Sequence, residues 1–147
     1  MERSPASFST LWTPELSVGS VLLDQHNQAV LARCATVDSV LLTHQGQALS
    51  IWMHGLLDQF DTLLSEEEGE LAAIDYPELS YHCVLHARAR NLITAARLRF
   101  ATAEPNNLAA TAAARSACTS LSVWLMRHIL DADRLFLPYI DARFRQS

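Results

Sequence analysis

Two histidines four residues apart, His82 and His86, are the strongest chemical signal in the 147-residue chain. In an α-helix, residues i and i+4 lie on the same face, so both imidazoles can bind one metal ion. The spacing alone leaves a second interpretation open, in which both are partly exposed histidines beside Tyr81 and Arg88. A metal site therefore needs further ligands from other parts of the chain.

Further candidate ligands interrupt the apolar stripes of the other helical segments: His26 in the first, Glu67 in the second and His128 in the fourth. Each has a simpler interpretation. His26 is then a hydrogen-bonded core residue, and Glu67 is part of a solvated acidic stretch, 65–70. Asp133, which follows His128, either shares a metal or lies exposed at a helix end. Because buried charges need a partner, the convergence of these side chains in one small core predicts a shared metal ion.

Four helical segments carry these residues. Apolar side chains recurring at three- and four-residue steps predict helices at 21–43, 48–73, 77–102 and 108–133. Pro77 is expected as the first residue of the third helix, and the fourth extends to Pro138 if Phe136 continues it. We predict an all-α fold, an up-down-up-down four-helix bundle with an extended N-terminal arm. The expected boundaries are 1–19 for the arm, 20–140 for the bundle and 141–147 for a C-terminal tail.

Composition supports helices and excludes several classes of function. Half of the residues are hydrophobic, only 7% are aromatic, and there are four glycines. The net charge of −5 without a basic run argues against a nucleic-acid partner. The first ten residues lack the apolar centre of a secretory signal, and no apolar run is long enough to span a membrane. We therefore expect a soluble, cytoplasmic protein.

Cysteines and the remaining histidines add no second site at this level. The three cysteines, Cys34, Cys83 and Cys118, are far apart in sequence and lack the CxxC spacing of metal sites. They are expected to be reduced thiols. His44 and His54 are expected at the surface.

Three motifs resemble those of bacterial hemerythrins and cover residues 12 to about 139. The first motif comprises Trp12, Ser17-Val18-Gly19 and Asp24-Gln25-His26. The second comprises Tyr76-Pro77 followed by His82 and His86. The third comprises Trp124-Leu125, His128-Ile129 and Asp133. Their order and spacing identify the chain as a member of the hemerythrin-like domain family, although Asp24 is displaced by one residue from its usual spacing.

The resemblance implies a carboxylate-bridged di-iron centre that reversibly binds dioxygen at one iron. It implies that the first iron is bound by three histidines, His82, His86 and His128. Glu67 and Asp133 would bridge the two irons, and His26 would bind the second iron. Leu125 would line an apolar oxygen pocket.

One position departs from the family pattern. The second helix normally carries a histidine four residues before the bridging glutamate, and this chain has Leu63 there. His54 cannot replace it, because it lies about 20 Å from Glu67 along a helix at about 1.5 Å per residue. Three outcomes follow: the second iron persists with solvent or a carboxylate such as Glu66 or Glu70 as ligand, it is lost, or the whole site is vestigial.

The leading functional interpretation is a metal- and oxygen-binding protein rather than an enzyme, used for oxygen or redox sensing, storage or transport. Two alternatives stay open: a di-iron enzyme with peroxidase or nitric-oxide-related activity, and a metal-depleted structural or interaction bundle. Iron is the expected metal, with two ions favoured over one, and zinc is the alternative. Dioxygen or a similar small molecule is the expected ligand, and a protein partner could dock on the arm or tail.

Overall fold

The computed structural model describes residues 12–101 and 108–140, and every regular element within these ranges is helical. The helices are α1 (Val21–Ala35), α2 (Val37–Thr43), α3 (Gln47–Ala73), α4 (Leu79–Ala101) and α5 (Leu108–Asp131). Short 3-10 helices occupy Pro14–Leu16 and Asp133–Phe136, and residues 137–140 are again helical. The prediction of an all-α fold is confirmed. None of the helices in these ranges has the length and apolar character needed to cross a bilayer.

Two predicted helix boundaries are wrong. The first segment is broken at Thr36, whose hydroxyl donates a hydrogen bond to the Arg33 carbonyl at 2.7 Å, and α2 begins at the next residue. Side chains of this type compete for backbone groups and interrupt helices. The third segment begins at Leu79 rather than Pro77, because residues 77–78 form a turn in which the Leu79 amide bonds the Tyr76 carbonyl.

The end of α3 is a Schellman turn that aims the chain into α4. Asp75 adopts a left-handed conformation with φ of 53°. The Tyr76 amide donates to the Leu71 carbonyl at 3.0 Å and the Asp75 amide to the Ala72 carbonyl at 3.1 Å, which is the paired pattern of this motif. Tyr76 is thereby buried next to the start of α4.

The helices surround one continuous apolar core to which all five contribute. Helix α3 lies between α1 and α4, and α5 packs against both of those helices. Ser20 near the start of α1 donates to Glu70 near the end of α3, whereas Arg33 near the end of α1 donates to Gln59. These two contacts require α1 and α3 to run in opposite directions.

Residues 12–19 of the predicted arm pack onto the helices, while 1–11 and the predicted tail at 141–147 lie outside the described residues. Leu16 and Val18 are buried in the core. Gly19 has φ of +83°, and a Cβ there would lie 2.8 Å from the Leu137 Cδ2 atom. The left-handed backbone at this position, which joins the arm to α1, therefore favours glycine.

Candidate metal centre

The candidate ligands come from the ends of three helices that the fold brings together. Glu67 lies near the end of α3, and the Schellman turn returns the chain so that His82 and His86 occupy the first two turns of α4. His128 lies in the last turn of α5, and Asp133 opens the following 3-10 helix. All five side chains are buried.

The three imidazoles present the same nitrogen, Nε2, to a common point. The Nε2 atom of His128 lies 3.0 Å from that of His86 and 3.1 Å from that of His82. Glu67 Oε1 lies 2.5 Å from the His82 nitrogen, 3.0 Å from that of His86 and 3.4 Å from that of His128. One atom from each of these four residues falls within 4.8 Å of the others, so they could hold a metal ion.

These separations match the spacing of ligands around one ion. With metal–ligand bonds of about 2.1 Å, neighbouring ligand atoms lie about 3.0 Å apart in an octahedral site and about 3.4 Å apart in a tetrahedral one. A set of hydrogen bonds explains the arrangement less well, because a neutral imidazole carries one N–H and three such nitrogens cannot all be donor and acceptor to one another.

Asp133 adds a second carboxylate to the cluster. Its Oδ1 atom lies 2.8 Å from His128 Nε2 and 3.2 Å from His82 Nε2. Neither carboxylate oxygen makes an aligned hydrogen bond within the described ranges, although the side chain is fully buried. Since a buried carboxylate needs a compensating positive charge, these oxygens beside two imidazole nitrogens fit a metal ligand better than a structural hydrogen-bond acceptor.

A second layer of polar contacts sets the orientation of His86. Its Nδ1 atom lies 2.8 Å from Glu68 Oε1, and Arg90 holds the same carboxylate at 2.6 Å and 3.1 Å. Burial alone would raise the pKa of Glu68, but hydrogen bonds from Arg90 and His86 lower it. The ionised carboxylate accepts a hydrogen bond from His86 Nδ1–H. The lone pair of His86 is then on Nε2, which faces the cluster.

Aromatic rings pack against the other two histidines, His82 and His128. The Trp124 ring stacks on His128 with centroids 4.4 Å apart and planes 15° apart. Tyr76 and Phe136 meet the edge of His82 with centroid distances of 6.3 Å and 5.8 Å. These contacts restrict the rotation of the imidazoles and keep water from the cluster.

The electrostatics of the cluster favour positive charge between its carboxylates. Burial opposes ionisation of Glu67, yet the surrounding histidines lower its pKa well below the usual range. Burial also opposes protonation of His82 and His128, but Asp133 and Glu67 raise both pKa values, that of His128 to about 9. Burial and the charge of Glu67 raise the pKa of Asp133. A metal cation would supply the same positive charge while the histidines stay neutral.

The remaining residues considered in the sequence interpretation lie outside the group of four ligand atoms. His26 is half-buried and outside the group of four ligand atoms, and its Nδ1 atom is buried without a partner in the described part of the chain. Leu125 is fully buried, and Leu63, at the position where the family carries histidine, is 2% exposed. His44 and His54, which were expected at the surface, are half-buried and lie outside the group of four ligand atoms.

Three residues were missed by the sequence interpretation. Glu68 and Arg90 support His86, and the glutamate directly after Glu67 was the only sequence signal for this support. Asn27 rather than His26 is the fully buried polar residue of α1, at 1% exposure. It shares the 23–27–30–34 stripe with Leu23 and Val30, a four-three-four spacing that fits a helix as well as the stripe through His26.

The fold is shared with a solved protein of low sequence similarity. A crystal structure of a leucine-to-phenylalanine mutant matches with a TM-score of 0.73 and 16% identity, covering 88% of this chain and 95% of that one. Among curated proteins, no sequence matches this chain. The family model of the hemerythrin HHE cation-binding domain matches residues 18–140. With a buried cluster of histidines and a glutamate able to hold a metal, this match makes the chain a metal-binding member of the hemerythrin HHE domain family.

Proposed function

We propose that the chain holds non-heme iron in its buried cluster and binds dioxygen or a related small ligand there, for oxygen or redox sensing, storage or transport. The observation that carries this proposal is the convergence of three Nε2 atoms on the Glu67 carboxylate, with separations that suit ligands of one ion. The proposed domain is 20–140, arranged as an up-down-up-down four-helix bundle in the cytoplasm.

Five donors are proposed for the first ion. They are His82, His86, His128, Glu67 and Asp133. Structural zinc almost always has four tetrahedral ligands, whereas three imidazoles with two carboxylates suit iron with a higher coordination number. The separations near 3.0 Å between neighbouring donor atoms support the same choice.

A second ion is proposed to bind more weakly. It would share Glu67 and Asp133 with the first ion, and solvent or a small ligand would complete its coordination, because the inward-facing polar residue of α1 is Asn27 rather than the expected ligand His26. The side of this position formed by α3 is apolar, since Leu63 stands where the family has its histidine. Fewer strong ligands weaken the binding of this ion and leave coordination positions for solvent or a small ligand.

The protein's contribution is a fixed and dry environment. Bound iron would supply the electrons and the open coordination position that dioxygen requires. Glu68 fixes His86, and Leu125 closes the apolar side of the site. In the described ranges, every fully buried carboxylate and imidazole belongs to the proposed ligand set.

The proposal is tested on the full-length chain produced in iron-supplemented cells. Metal content is measured by mass spectrometry, and the absorption spectrum is followed through cycles of oxygen addition and removal. We expect one to two irons per chain and a reversible spectral change. His86→Ala should lose iron, whereas His54→Ala, a histidine outside the cluster, should retain it. Zinc in place of iron, or iron without an oxygen response, would contradict the proposal.

A further inference from the structure

Asn27 is a buried carboxamide without a partner. It is 1% exposed, and neither its Oδ1 nor its Nδ2 atom makes a hydrogen bond to any residue that the structure describes. Buried polar groups almost always have a hydrogen-bond partner, because leaving one unpaired costs free energy. Apolar Leu23 and Val30 occupy the same stripe of α1, so an apolar residue would fit the core there equally well.

Contacts between α1 and α3 place Asn27 beside the position that lacks its histidine. Ser20 contacts Glu70 and Arg33 contacts Gln59, on either side of Asn27. Interpolation between these two antiparallel pairs sets Asn27 level with residues 63–64 of α3. Leu63 lies four residues before Glu67, about 6 Å along the helix at about 1.5 Å per residue.

Contacts between the first helical segment and α5 give the same position of Asn27 along the bundle axis. Cys34 and Cys118 are close enough in the core to affect each other's pKa, and Asp38 pairs with Arg115 at 2.7 Å. Counting seven residues back from Cys34 and seven forward from Cys118 sets Asn27 level with Leu125. Leu125 is three residues, about 4.5 Å, before His128. The buried amide therefore lies at the level of Leu63 and Leu125, about one helical turn along the bundle from Glu67 and His128.

We propose that the Asn27 carboxamide hydrogen-bonds a small ligand held at the metal centre, on the side lined by Leu63 and Leu125. The inference rests on the proposed function. Its Nδ2 hydrogens suit the partly negative outer atom of a metal-bound diatomic molecule or small anion. Because the two leucines exclude water from this layer, a hydrogen bond there is stronger than one in solvent.

The test is a titration of the iron-loaded full-length protein with azide, followed by absorption, in the wild type and Asn27→Leu. The dissociation constant for azide should rise about five- to tenfold in the variant, with unchanged iron content. Ser122→Ala is the matched control, because it removes another buried polar group of the same core and should leave azide affinity unchanged. The metal-free Asn27→Leu protein should melt about 3 °C higher, since an unpaired amide is removed.

The outcomes separate this inference from the proposed function. If the iron-loaded wild type responds reversibly to oxygen but does not bind azide, the Asn27 inference fails and the proposed function stands. If it responds to neither, both fail. If Asn27→Leu binds azide as tightly as the wild type, the Asn27 inference fails and the proposed function stands. Loss of iron from the variant also overturns the inference, because Asn27 would then hold the metal rather than its ligand. Asn27→Val provides a second, smaller apolar variant if Asn27→Leu does not fold.

Discussion

Glu68 illustrates, at the scale of single residues, how a side chain outside the ligand set controls the site. Histidine has two ring nitrogens, and only a lone pair can bind a metal. The carboxylate of Glu68, held by Arg90, accepts a hydrogen bond from His86 Nδ1–H, which leaves the lone pair on Nε2. This outer contact fixes both the ring orientation and the tautomer.

Glu68→Gln should therefore weaken metal binding without removing a ligand. The neutral amide of glutamine cannot form the ion pair with Arg90, and it accepts a weaker hydrogen bond from His86 Nδ1–H. We expect metal affinity to fall by about tenfold or more, measured by competition with a chelator of known affinity.

Asp58→Asn is the matched control for this change. Asp58 pairs with Arg97 at 2.7 Å across the same two helices, away from the cluster. Its loss should leave metal affinity unchanged, because exposed ion pairs contribute little. Equal effects of the two substitutions would show that Glu68 acts only through helix packing.

Leu63→His should restore the missing ligand. The side chain at this position is buried one turn before Glu67, so an imidazole there would add a strong donor for the second ion. We expect the metal content of the variant to approach two ions per chain under conditions where the wild type holds fewer. Metal content is measured after dialysis at matched free iron.

Leu64→His provides the comparison for Leu63→His. Leu64 is also fully buried on α3, but its side chain is rotated by about 100° around a helix of 3.6 residues per turn. The buried imidazole should destabilise the fold without increasing metal content. An equal gain of metal in both variants would mean that any added histidine binds iron and that position 63 has no special role.

At the scale of elements, the helices could be predicted because their apolar residues repeat with the helical period, whereas their ends could not. The break before α3 could be predicted, since the gap between the helices expected at 21–43 and 48–73 contains Gly46, whose φ of 55° favours glycine. The break at Thr36 was not, because it depends on one hydroxyl bonding the Arg33 carbonyl. Local hydrogen bonds of this kind leave no periodic signal in the sequence.

The candidate site could likewise be predicted only where the sequence spacing fixes the relation between its residues. His82 and His86 could be proposed because i,i+4 spacing on one helix fixes their relation. The proximity of Glu67 and His128 could be proposed only through their convergence and the family resemblance. Asn27 was missed because shifting the stripe by one residue in α1 moves the inward position from His26 to Asn27. Such a small rotation is set by packing between helices, which sequence periodicity does not resolve.

Two glycines should respond in opposite directions to alanine. Gly19→Ala forces a left-handed conformation on alanine and brings its Cβ against Leu137, so the free energy of unfolding should fall by about 1–2 kcal/mol or more. Gly69 lies inside α3, with nothing within 4 Å of an added Cβ. Gly69→Ala should raise the free energy of unfolding by about 0.5–1 kcal/mol. Urea denaturation measures both, and a stabilising Gly19→Ala would contradict the turn described here.

At the scale of the whole molecule, the cluster joins segments that are distant in sequence. It connects the end of α3, the start of α4, the end of α5 and the 3-10 helix that carries Asp133. Without a cation, two buried carboxylates share this space and depend on protonated histidines for compensation. The metal should therefore stabilise the assembly of these helices, and not only add a reactive centre.

Removal of the metal should lower the stability of the entire domain. A metal that binds only the folded state at about a thousandfold excess over its dissociation constant contributes about 4 kcal/mol, which corresponds to a melting temperature about 10 °C higher. We expect a shift of this size between chelator-treated and reloaded protein by calorimetry. His86→Ala should melt at one temperature with or without metal, whereas His44→Ala, outside the cluster, should keep the full shift. If the wild type melts at the same temperature in both states, the cluster does not hold the helices together. The stability of the domain would then come from its apolar core alone.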